Sequence, residues 1–221
     1  MTERQSPPTS PAPPVPVARV RDADATRARV IEAAEALFAR KGFDGTRLRE
    51  VAEDARVTVP LLCHHFGDKE SLYTAVIERG IERFASLGWE VLRLGQGIAE
   101  QLAGFITGLI DLAARDPNLT TLLHREMTDG GVRARPLAER WLLPVKAAAT
   151  EALQAAQRRG EIRAGLDLDM VVLCIVGAVM YPCIAGPLVQ IVWGEDPGHA
   201  AFIERRRRAL LDLLLPLVVT R

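Results

Sequence analysis

An all-α fold, with a small N-terminal three-helix unit joined to a larger helical domain, is what this 221-residue sequence predicts. Three observations carry that expectation. Apolar residues recur at the three- and four-residue spacing of an amphipathic helix along nearly the whole chain. No stretch alternates with the period of two that marks a half-buried strand. Glycines and capping residue types fall between the periodic segments, where helices stop and start. The pattern predicts about nine helices and no internal repeat.

The elements follow in order. The first helix is expected over residues 26–41, with Val30, Ile31, Ala34, Leu37 and Phe38 as its inner stripe and Gly42 placed to end it. Thr46 is placed to cap a short second helix holding Leu48, Val51 and Ala52. Thr58 caps a third over residues 59–65, Gly67 ends it, and Asp68 caps a long fourth beginning at Lys69. Gly95 and Gly97 break one later pattern, and Asp116 with Pro117 breaks another. A long helix over residues 135–159 ends on Arg158, Arg159 and Gly160, which puts cations at the negative end of its dipole and glycine just past it. A final helix is expected over residues 199–219.

Composition narrows the function. Lys plus Arg number 28 and Asp plus Glu number 28, so the formal charge is zero. A protein that coats nucleic acid nonspecifically is strongly basic, so any DNA contact here is confined to one face. Only Lys41, Lys69 and Lys146 among the basic residues are lysines. Cys63, Cys174 and Cys183 have no regular spacing, which argues for a reducing, cytoplasmic setting rather than a disulfide framework. Residues 1–22 hold Glu3, Arg4 and a block of prolines, and are expected to form a disordered tail, not a signal peptide. Residues 170–193 carry no charge and are long enough to span a bilayer. Gly177, Pro182, Gly186 and Pro187 interrupt them and Gln190 is polar, so a buried or subunit-interface helix pair is expected and no membrane partner.

The segment over residues 46–66 carries the function. It reads as a short helix, a tight turn at Ala55, Arg56 and Val57, and a second short helix, braced by the first: a helix-turn-helix. Its second helix fits the major groove of double-stranded DNA, with the first turn at the base edges. Thr58, Val59, Pro60 and Leu61 are small or flat enough for the groove floor. Thr46, Arg47, Arg56, His64, His65 and Lys69 supply donors along the flanks. Lys69 also lies in a first helical turn, where free N–H groups attract a phosphate.

These residues resemble a known family. The pair Ala33 and Ala34, then Phe38, Gly42 and Phe43, Thr46, Val51 and Ala52, Val57 and Thr58, His65 and Phe66, and Lys69 and Glu70 are similar, without a gap over residues 27–76, to the DNA-binding domain of the tetracycline-repressor (TetR) family. The resemblance implies a homodimer, an operator with two related half-sites, and a ligand pocket in the C-terminal domain. It divides the chain into the tail at 1–22, the helix-turn-helix domain at 23–70, and a helical ligand-binding and dimerisation domain at 71–221. Three positions depart from the family pattern. Arg56 stands where the turn usually has Gly, Pro60 where the recognition helix is usually small, and Cys63 where a Tyr contacts the DNA backbone. His124 to Met127 and Ala185 to Pro187 resemble the subfamily with a CecR-type C-terminal domain.

The implied function is a repressor that binds a palindromic operator and is released by a small apolar or aromatic effector. The polar and aromatic candidates for its pocket are Trp89, His124, Arg125, Trp141, Tyr181, Cys183 and Trp193. Leu173, Val176, Met180, Leu210 and Leu214 are candidate dimer-seam residues. Arg205 to Arg208 is expected to be a solvated face with one Arg pairing across that seam. No cofactor or metal is expected, since Cys63, His64 and His65 point about 100° apart in turn and cannot converge on one ion. An enzyme is a competing reading, but no G-x-S-x-G, phosphate loop, Rossmann glycine pattern or HExxH occurs. A helical scaffold that binds only protein is the other, and the helix-turn-helix segment argues against both.

Overall fold

The computed structural model describes residues 17–95 and 97–220, with side chains from residue 22 onward. Ten helices account for nearly all of them: α1 (Val17–Gly45), α2 (Leu48–Asp54), α3 (Val59–Phe66), α4 (Lys69–Arg93), α5 (Ile98–Arg115), α6 (Pro117–Thr128), α7 (Ala134–Arg158), α8 (Leu168–Ile184), α9 (Gly186–Trp193) and α10 (Ala200–Val218). Among the described residues the only β pairing is an isolated bridge between Ile162 and Val219. About nine were expected; the uncharged stretch, expected as a helix pair, divides at Ala185 into α8 and α9, bent by 78°. No single helix among the described residues is long and apolar enough to cross a membrane.

Helix α1 starts earlier than its apolar stripe. Residues 17–22, the end of the stretch assigned to the tail, are helical, and residues 1–16 lie outside the described part. Gly42 breaks α1 as its residue type predicts, with φ +75°, which only glycine adopts without strain.

Two cores hold the molecule. The first joins α1, α2, α3 and the first half of α4, with Phe38, Leu62, Leu72 and Ile77 fully buried, and takes in Leu122 of α6 and Leu137 of α7. The second joins α5, the end of α7, α8 and α10 around Ile106, Leu109, Ile175 and Val179. Because α6 and α7 feed the first core, the N-terminal unit is packed onto the C-terminal helices rather than tethered to them.

The run Arg205 to Arg208 departs from the solvated face expected of it. Pro182 lies inside α8 and has no N–H to offer the Ala178 carbonyl one turn back. Arg206 fills that gap, donating to the carbonyls of Ala178, at 2.8 Å, and Val179. Arg207 reaches Asp111 of α5 at 2.6 Å. Only Arg205, paired with Glu195, and Arg208, 3.9 Å from Glu204, remain at the surface.

Candidate nucleic-acid interface and effector cavity

Caps fix the two short helices. The Glu50 carboxylate accepts from the Arg47 N–H at 3.2 Å, so Arg47 takes the N-cap place of α2. Thr46, expected there, is buried, and its hydroxyl donates at 2.8 Å to the Gly42 carbonyl freed by the helix break. That removes the Thr46 side chain from the candidate DNA surface. Thr58 caps α3 as its type predicts, accepting from the Leu61 N–H at 3.3 Å. Pro60 follows in the first turn, where a missing N–H costs nothing. Asp68 caps α4 through the Ser71 N–H at 2.7 Å.

Between α2 and α3, Arg56 has φ +55°, the one non-glycine residue with positive φ among those described. Its side chain is exposed and makes no hydrogen bond or ion pair to the described residues. Arg47, Thr58, Pro60, Leu61 and His64 are exposed on the same unit, while Val59, Cys63 and His65 are half-buried. Cys63 packs partly against the first core. Lys69 turns inward: its ammonium donates to the Thr46 carbonyl at 3.0 Å and lies 4.5 Å over the Phe43 ring. In this arrangement its charge braces the loop that carries Arg47.

A second layer of charge sits beneath. The Arg133 guanidinium lies over the rings of both Phe43, at 4.7 Å, and Tyr73, at 5.1 Å, which meet edge to face, and it pairs with Glu70. The buried Glu126 accepts from the N–H groups of Arg133 and Ala134 at 2.8 and 3.2 Å. Together they stitch the α6–α7 turn to α4 and to the loop under α2. Burial, then the charge of Glu126, pushes the Tyr73 phenol up to about 12. Further along α4, Arg79 pairs with the buried Glu35 of α1 at 3.0 Å and Arg83 pairs with Asp116. Burial, then the neighbouring Asp116 carboxylate, raises Glu35 to about 7 against the pull of Arg79 and Arg83.

The second core is hollow. A cavity of about 430 Å³ opens between α4, α5, α7 and α8, walled by Phe84, Val91, Phe105, Leu109, Val145 and Val176. Its size is that of a small-molecule site. Gly88 brings α4 onto α7 so closely that a Cβ there would come within 2.6 Å of the Val145 side chain. Polar groups are confined to the rim: Gln101, and Lys146 paired with Asp169 at 2.7 Å, with the Thr150 hydroxyl 3.3 Å from the second Asp169 oxygen.

None of the residues singled out for the pocket in the sequence lines this cavity. The Trp141 indole N–H is spent on Glu78 at 3.1 Å, with Arg140 over its ring. Arg125 approaches Gly42 under the helix-turn-helix. Tyr181, Cys183 and Trp193 are exposed, and Trp89 and His124 are half-buried elsewhere. The lining of this cavity is mostly aliphatic and phenylalanine, residue types that look like ordinary core. The available signal was the placement of the small residues Gly88, Ala149 and Ala152 opposite large aliphatics.

Comparison with known proteins agrees with this layout. The family described as "Bacterial regulatory proteins, tetR family" matches residues 30–76, and a "Tetracyclin repressor-like, C-terminal domain" matches residues 90–190. The HTH-type transcriptional repressor SCO4008 of Streptomyces coelicolor is 30% identical over 200 residues, covering 87% of this chain and 98% of that protein. The chain belongs to the TetR family. It is therefore a DNA-binding transcriptional repressor of the helix-turn-helix type.

The HTH-type regulator TtgR of Pseudomonas putida is 31% identical over 156 residues, covering 67% of this chain and 73% of TtgR. Among solved structures, FadR of Bacillus subtilis in complex with stearoyl-CoA aligns with a TM-score of 0.68 at 20% identity, covering 86% of this chain and 98% of FadR. The ketosteroid regulator KstR2 of Mycobacterium tuberculosis aligns with a TM-score of 0.63 at 18% identity, covering 88% and 95%. At those identities the likeness is one of fold. The description of the C-terminal match names no CecR-type domain. Within the TetR frame, Arg56 is the departure with a structural price, since it holds a backbone conformation suited to glycine.

Proposed function

We propose that this TetR-family chain binds an operator with two related half-sites as a homodimer, and that an apolar effector in the 430 Å³ cavity lowers its DNA affinity. One observation carries the reading: α4 serves both sites. Its first residue, Lys69, braces the loop under α2, and Phe84 and Val91 further along it wall the cavity. Anything that displaces the cavity wall therefore acts on the base of the helix-turn-helix. Arg47, Arg56, Thr58, Pro60, Leu61 and His64 are the side chains proposed to meet DNA, with Val59, Cys63 and His65 at their edge. Lys69 contributes by holding the loop, and its charge lies close enough to the surface to favour phosphate.

The dimer seam is assigned to α8 and α10. Tyr181, Ile184, Leu213 and Leu217 are exposed there, a patch that a monomer seldom leaves in water. Of the residues expected at the seam, Leu173 is exposed on α8 while also bordering the cavity, Val176 lines the cavity, and Met180, Leu210 and Leu214 pack inward on the second core. Fluorescence anisotropy against the DNA upstream of its own gene tests the reading. Two protomers per duplex, with loss of binding when one half-site is scrambled, is the expected result. One protomer per duplex, or equal affinity for the scrambled duplex, would overturn it.

A further inference from the structure

We infer that the effector is electrically neutral, an uncharged hydrocarbon-rich molecule with at most one hydroxyl or carbonyl group, and that the cavity selects against carboxylates. This rests on the reading of the cavity as the effector site. Three features argue for it. Among the described residues the lining is apolar apart from Gln101, Lys146, Thr150 and Asp169, so an anion drawn inside past them would lose its water with little to replace it. Among the described residues no arginine lines the cavity, in a chain whose basic residues are almost all arginine, and Lys146 is the one cation at its edge. That cation is already taken: the Lys146 ammonium lies 2.7 Å from Asp169, and the other Asp169 oxygen accepts from Thr150. A carboxylate arriving at the rim would reach Lys146 only beside Asp169, whose charge repels it and already offsets that of the ammonium. A hydroxyl faces neither obstacle, since it can pair with Gln101 or Thr150 without disturbing the ion pair. Discrimination here comes from what the rim repels, because the apolar wall would accept the hydrocarbon part of either molecule equally.

The test uses two probes of equal chain length, dodecan-1-ol and dodecanoate, at about pH 8, where the acid is fully ionised. Calorimetry gives their affinities for the full chain, and anisotropy gives their effect on operator binding. The alcohol is expected to bind roughly tenfold tighter or better, and to release DNA at correspondingly lower concentration. Asp169→Asn frees Lys146 with little change of shape, while Asp167 still caps α8. It is expected to strengthen dodecanoate binding about tenfold and to leave dodecanol unchanged. Adding Lys146→Gln to that variant should cancel the gain, which separates a charge effect from a change in packing. Dodecanoate binding the unaltered protein as tightly as dodecanol, or a preference that Asp169→Asn leaves unmoved, overturns the inference and leaves the effector site standing. Binding of neither probe overturns the effector site and the inference together.

Discussion

Replacing Arg56 with glycine should make the protein more stable and a poorer DNA binder at once. The left-handed conformation at φ +55° costs an L-residue roughly 1–2 kcal/mol. Glycine removes that strain but loses about 0.5–1 kcal/mol through the greater freedom of its unfolded chain. The balance is a gain of about 0.5–1 kcal/mol. For a chain of this length that raises the melting temperature by roughly 1–4 °C. The DNA side runs the other way. The exposed guanidinium has no partner among the described residues, so its loss breaks nothing inside the fold, and each protomer gives up one cation at the edge of the interface. Two phosphate contacts per dimer make the slope of log affinity against log salt shallower by ~1.8, and cost roughly twentyfold in affinity near 0.2 M salt. The assays are a thermal melt and a salt series of anisotropy titrations. A lower melting temperature would show that Arg56 supports the turn, and an unchanged slope would show that it faces away from the phosphates. Either result refutes the argument.

Three further outcomes follow from the geometry. Ala149→Phe, which places a ring in the cavity, should abolish release by effector while operator affinity stays within about threefold and stability within ~1.5 kcal/mol, measured by anisotropy and denaturant melts. Arg206→Met keeps the aliphatic stem but strands the Ala178 carbonyl opposite Pro182, so urea melts should show a loss of about 1–3 kcal/mol, partly restored by Arg206→Lys. Glu35, raised to about 7 in the fold, holds its proton more tightly folded than unfolded between its ordinary value of 4.5 and 7. Its contribution is complete below 4.5 and fades as pH rises to about 7, so stability should fall across that window, and Glu35→Gln should flatten the fall. An equal fall in the variant would assign it to other groups.

The helix-turn-helix was legible because its geometry is written in residue types. Thr58 and Asp68 cap the helices assigned to them, and Gly42 and Gly67 adopt the positive φ that their type permits. Thr46 misled because a capping type can serve equally well by donating to a carbonyl left free by a break one turn earlier. For Arg56 the one sign was the family's usual glycine at that place in the turn, since nothing in an arginine itself announces a left-handed backbone. The cavity was illegible for a different reason. Leu109 filling a core and Leu109 bordering a void are the same letter at the same helical spacing, and of the aromatic residues that draw attention Trp141 is bonded to Glu78 and Tyr181 is exposed. The bonds of Arg206 and Arg207 depend on Pro182 and Asp111, partners distant in sequence.

The length of α4 acts as a lever. Val91, at the cavity wall, lies about 33 Å from Lys69 along a continuous helix at ~1.5 Å per residue. On the far side of the cavity α8 is tied to α10 by Arg206, and α10 to α5 by Arg207, so that side resists being pushed. On the proposed reading, an occupant that swells the cavity would spend its displacement on α4. A tilt of about 5° there carries the Lys69 end through ~3 Å, close to the ~3.4 Å step between successive bases along a strand. In the proposed homodimer, with one such arm in each protomer, that displacement would put the two recognition helices out of phase with a pair of half-sites by about a base pair.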